Sequence, residues 1–128
     1  MAGLRLDGAG QARIKTLDEA MALLLRVNGL VEQYALQLKR NQPTSTFVMN
    51  IRRQLPSLAE KLKTQFGMIA DQITQVNLAS SRGASEQVRV RTLREGVAQA
   101  KTAIEIAIAH VIDKHKLKDE KESDTAKE

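Results

Sequence analysis

Between Ser85 and Lys116 the apolar positions Val90, Leu93, Val97, Ala100, Ile104, Ala107 and Val111 recur at alternating spacings of three and four. That spacing lays them in one stripe along a helix, the longest uninterrupted amphipathic pattern in the chain. Alanine at positions 100 and 107 lets a neighbouring helix pack close to it. A second long pattern opens at Thr16, which sits three residues before Glu19 with the spacing of a capping box. Leu17, Met21, Leu24, Asn28, Val31, Ala35 and Leu38 follow as one seam. Ala20, Leu23, Val27, Leu30 and Tyr34 form a parallel seam about 100° around the same helix. Two seams make an apolar arc wider than a simple surface helix requires. Asn28 interrupts the first seam where a buried amide can fix register, or else marks a local bend with Gly29.

The segment Asn41-Gln42-Pro43-Thr44-Ser45 reads as a turn. Proline disfavours helix at Gln42, and Thr44 or Ser45 can cap the helix that follows. That helical region extends to about Asn77, with Val48, Ile51, Leu55, Leu58, Leu62, Ile69 and Val76 in one heptad phase. Gln65 and Gln72 interrupt the phase, and Phe66 and Ile73 take over one position further round, so the stripe rotates midway. Pro56 lies inside the region and removes one helical hydrogen bond. It predicts either a kink in one long helix or a division into two helices near Pro56, and the unbroken apolar phase favours the kink. Leu78 to Ala84, with Ser80, Ser81 and Gly83, reads as the next turn.

The pattern therefore predicts an all-α fold: an elongated antiparallel helical bundle of three long helices, up-down-up, with a four-helix count if Pro56 divides the second. At 1.5 Å per residue the second and third helices would span roughly 50 Å each and the first about 37 Å. The expected organisation is a flexible leader over residues 1–15, a bundle over 16–117 and a disordered acidic tail over 118–128.

Composition supports this reading. Of 128 residues 42% are hydrophobic, enough for a core, yet aromatic side chains are confined to Phe47, Phe66 and Tyr34. A core of Leu, Ile, Val and Ala suits helices meeting along long seams. The chain has no cysteine, which removes disulfides, thiolate chemistry and cysteine metal sites and fits a reducing compartment. No membrane span is expected: the most apolar stretch, Ala20 to Leu36, is broken by Arg26, Asn28 and Glu32. Arg5 and Asp7 interrupt any signal-peptide core, so the expected location is cytoplasmic or otherwise intracellular.

Charge adds a second line of thought. The chain carries +5, but residues 117–128 set three lysines against five carboxylates, so the tail is −2 and the rest +7. A basic body fits a nucleic-acid or acidic-protein partner, or a surface kept soluble by its charge. The densest cluster is Arg82, Arg89, Arg91 and Arg94, joined by Lys101 on the outer flank of the last helix. Arginine forks suit phosphate oxygens, so this cluster could grip a nucleic-acid backbone. In a three-helix arrangement Arg13 and Lys15 fall near the same end, and Lys39, Arg40, Arg52 and Arg53 gather at the other. No stacking aromatics accompany the cluster, and no tight helix-turn-helix contains it.

Candidate chemistry is sparse. Gly8-Ala9-Gly10 follows no strand and leads to no Gly-Lys-Ser/Thr, so it is not a phosphate loop. His110 and His115 lack zinc-protease spacing. His115-Lys116-Leu117-Lys118 resembles the His-x-Leu-Lys of histidine phosphotransfer bundles over four residues. Asp119-Glu120-Lys121 then stand where that motif has small residues, and His115 lies at a helix end. The sequence predicts a non-enzyme with no cofactor, no metal and no small-molecule substrate.

The surplus seam is the stronger lead. Leu23, Val27, Leu30 and Tyr34, with Ile106 outside the main stripe of the last helix, exceed the evident needs of a three-helix core. Such a surplus marks either an association surface or the wider core of a four-helix arrangement. The leading expectation is a non-catalytic interaction protein that self-associates or docks a protein partner along those five residues. The alternative is a small basic subunit of a nucleic-acid-binding assembly that contacts phosphates through Arg82, Arg89, Arg91, Arg94 and Lys101.

Overall fold

The computed structural model describes residues 6–81 and 85–116. They form four helices: α1 (Gly8–Lys39), α2 (Ser45–Leu62), α3 (Gly67–Ser81) and α4 (Glu86–His115). The fold is an all-α bundle. The helices pack as a ring in chain order, α1 against α2, α2 against α3, α3 against α4 and α4 back against α1. Each is antiparallel to its neighbours. Lys61 near the end of α2 reaches Glu19 near the start of α1, and Asp7 before α1 meets His115 at the end of α4.

The first helix starts eight residues before the expected Thr16 cap. Asp7 is the N-cap: its carboxylate accepts a 2.7 Å hydrogen bond from the Gly10 amide, and Gln11 N donates to the Asp7 carbonyl. Thr16 instead lies inside the helix, where its hydroxyl donates back to the Ala12 carbonyl at 3.2 Å. Residues 8–15, read from the sequence as leader, therefore belong to α1. The remainder of that leader before Leu6, Arg82, and the expected acidic tail lie outside the described residues.

At the other end, α1 closes as the sequence predicts, at the Asn41 turn. Asn41 adopts φ 56°, Gln42 N donates to Gln37 O at 2.9 Å and Asn41 N to Leu38 O at 3.1 Å. This is a Schellman closure with asparagine in the left-handed position.

The second helical region is where the expectation changes. Pro56 does not divide it; α2 runs through the proline to Leu62. The bond that Pro56 cannot donate would have gone to the carbonyl of Arg52, an exposed residue that water can reach. The chain turns instead at residues 63–66. Phe66 donates its amide to Leu62 O at 2.7 Å, and its carbonyl accepts from Ala70 N at 3.0 Å, so one residue closes α2 and opens α3. What looked like a 50 Å helix is a hairpin. One more helix also reverses the direction of the last, so α4 runs antiparallel to α1 instead of parallel.

The core is one cluster drawn from all four helices, including Leu17, Leu24, Val31, Leu55, Leu58, Leu62, Ile73, Leu93 and Ile104. Close packing has a visible cost in side-chain size. A Cβ at Gly96 of α4 would lie 3.0 Å from Val76 Cβ on α3 and closer still to both Val76 methyls. Gly10 is tighter than it looks in sequence: a Cβ there would meet His115 Cβ at 2.5 Å. No helix among the described residues is long and apolar enough to cross a membrane.

Candidate interaction surface

The seam expected to face a partner is inside the bundle. Tyr34 and Val27 are fully buried, Leu23 is nearly so, and Leu30 is half-buried. α1 packs between α2 and α4, and the split of the second helical region closes the ring around the seam, which is the wider core the sequence allowed as the other outcome. Ile106 remains 54% exposed on α4, but the seam it was to extend has gone from the surface. These five residues are not one docking face.

Tyr34 is instead the centre of a polar knot joining the four helices at one end. Its hydroxyl donates to Glu86 Oε1 at 3.1 Å, and the Thr44 hydroxyl donates to the same oxygen at 2.9 Å. Thr44 stands at the N-cap place of α2, but its hydroxyl serves this knot and does not cap the helix. Arg89 donates through Nη1 to the Tyr34 hydroxyl at 3.3 Å and through Nε to the Ser80 carbonyl at 2.8 Å. Burial raises the pKa of the Tyr34 hydroxyl above the ordinary tyrosine value. Ser85 caps α4 by accepting from the Val88 amide, which holds Glu86 in the first turn where this acid also suits the helix dipole.

Two members of the expected arginine cluster are engaged by other side chains of the fold. Arg89 is half-buried in the knot, and Arg94 makes a two-pronged pair with Glu32 of α1, at 2.9 Å from Nε and 2.7 Å from Nη2. That pair lowers the pKa of Glu32 and raises that of Arg94. Arg91 and Lys101 are exposed, and Arg82 lies outside the described residues. The reversal of α4 also separates this cluster from Arg13, which stands at the His115 end, and brings Lys39 beside Gln87, Val90 and Arg94.

At the His115 end, Asp7 and His115 form a clamp. Asp7 Oδ1 is 3.1 Å from His115 Nδ1, and Asp7 N donates to the His115 carbonyl at 3.1 Å. The Gly10 amide first, and then the His115 ring, hold the Asp7 carboxyl below its usual pKa. An open cleft of about 300 Å³ adjoins the clamp, lined by Arg13, Phe66, His110, Val111, Lys114 and others. Its histidines share no metal-binding group: no cluster of three or more His, Cys, Asp or Glu with that geometry occurs among the described residues.

Apolar surface does remain on the outside of α1. Leu25 is 49% and Leu36 44% exposed. They lie eleven residues apart, three helical turns, and so share a face. Asp18, Ala22, Gly29, Glu32, Gln33 and Arg40 are exposed at matching intervals of that stripe. A Cβ at Gly29 would meet nothing within 4 Å, so no contact among the described residues calls for glycine there. Sequence reasoning passed over this face because Leu25 and Leu36 belong to neither seam; their spacing through Gly29 was the signal. No family model, curated protein or solved structure matches the chain.

Proposed function

We propose that the protein is a non-catalytic helical-bundle interaction protein, and that it works by association along the outer face of α1. The observation that carries this reading is the exposed line Leu25–Gly29–Leu36, left over after the core has taken up both sequence seams. Gly29 strengthens it. Glycine in a helix interior costs about 1 kcal/mol relative to alanine. At Gly29 no packing among the described residues requires that cost, whereas a helix approaching from outside would use the absent side chain. The convergent polar groups around Tyr34 support a non-enzyme because they are spent on one another and on holding the helices.

The test is a comparison in the native cells. Tagged wild-type protein should recover a defined set of bound proteins, untagged copies of itself included. The double variant Leu25→Glu/Leu36→Glu, with an unchanged helical circular-dichroism spectrum, should lose that set. An identical set from both would overturn this choice of surface.

A further inference from the structure

Resting on that association reading, we infer that the occupant of the α1 face is a second copy of the same chain, laid antiparallel about a two-fold axis at Gly29. A two-fold pairing of identical helices must match each residue i with 58 − i if it is centred on residue 29. Gly29 then meets Gly29 of the other copy, the place of closest backbone approach. Ala22 meets Leu36, so a small side chain receives a large one on both sides of the axis. Asp18 meets Arg40, an opposite-charge pair made twice. All five residues are exposed in the single chain.

The parallel alternative is disfavoured by the same residues. There Asp18 would face Asp18 and Arg40 would face Arg40, two like-charge contacts with no compensation. Charge thus fixes direction and the glycine fixes register. The Glu32–Arg94 pair remains intact at the flank of the contact, since Arg94 approaches Glu32 from α4. Residues 18–40 span roughly 33 Å of helix, which makes a small interface and a weak, concentration-dependent dimer.

The chain's lack of cysteine makes the register directly measurable. Single variants Ala22→Cys and Leu36→Cys place one thiol each on the exposed face and leave Gly29 intact, and Gln99→Cys on α4 is a control for random collision. Disulfide-linked dimers formed under mild oxidation are read against that control. Ala22→Cys and Leu36→Cys should each link no faster than the control when alone, but readily when mixed. Rapid linkage of Ala22→Cys with itself would overturn the antiparallel arrangement. Control-level linkage of the mixed Ala22→Cys and Leu36→Cys variants would overturn the second copy as occupant, while the comparison of bound proteins in native cells would still judge the association reading separately.

Discussion

The hydroxyl of Tyr34 and the carboxylate of Glu86 meet 3.1 Å apart across 52 residues of chain, with Thr44 on the same carboxylate oxygen. The contact fastens the end of α1 to the start of α4, and through Thr44 and Arg89 it draws in α2 and α3. Removing the hydroxyl in Tyr34→Phe leaves Arg89 and Glu86 each short of a partner while the ring still fills the core. The expected loss is about 1–2 kcal/mol of stability, read as a lower denaturant midpoint with unchanged slope. Tyr34→Ala adds a cavity and should cost about 3–5 kcal/mol.

Tyr34 also predicts an alkaline dependence. It is the only tyrosine and the chain has no tryptophan, so the tyrosinate absorbance reads this one residue. Its folded pKa is raised, so the stability it contributes is complete below the unfolded value of about 10 and is lost as pH rises through the folded value. The absorbance midpoint should lie above 10 in the native protein and fall towards 10 in denaturant. A native midpoint at or below the denatured one contradicts the buried knot.

Two glycines in helix interiors should respond to alanine with opposite signs. Gly96→Ala drives a methyl into the stiff Val76 side chain and should destabilise by about 1–3 kcal/mol. Gly29→Ala enters open space and should stabilise the isolated chain by about 0.5–1 kcal/mol. The second variant should also weaken self-association. Thermal melts at high dilution check the first effect and melts at increasing concentration the second.

The Asp7–His115 clamp and the Glu32–Arg94 pair predict acid sensitivity. Both carboxyl pKa values are lowered by folding, so their contribution is present above the unfolded values of about 4 and disappears as pH falls through the folded ones. Melting temperature should drop through that range, and Asp7→Asn should flatten the drop. An unchanged profile in the variant would show that the carboxylate is not held as described.

Charge reversal separates structural arginines from surface ones. Arg89→Glu should destabilise the fold because its guanidinium ties Ser80 and Tyr34. Arg91→Glu with Lys101→Glu, both on exposed positions, should shift stability by less than about 0.5 kcal/mol. Denaturant titrations of the two variants check the contrast.

The legibility of the chain was uneven for physical reasons. The span of α4 was readable because Ser85 caps it and its apolar spacing never breaks. The start of α1 was misplaced because Thr16 and Glu19 imitate a cap inside a helix, while the true cap, Asp7, precedes two glycines that look like a flexible segment. The α2–α3 turn hid because Leu62 and Ile69 keep heptad spacing across it: Gln65 looked like a rotation of the stripe, and Gly67 was the overlooked break. Pro56 drew attention to the wrong place because one missing bond on a solvated side is tolerated. From the true place of that turn, at residues 63–66, followed the parity of the bundle, the burial of Leu23, Val27 and Tyr34, and the separation of Arg13 from Arg94. The outer face of α1 became visible only once the core had claimed its residues.

The most direct test of that face is sedimentation of the wild-type protein beside Leu25→Glu/Leu36→Glu over a wide concentration range. The wild type should show a monomer–dimer equilibrium and the variant a folded monomer throughout. Identical behaviour of the two proteins, whether both monomeric or both dimeric, would contradict it.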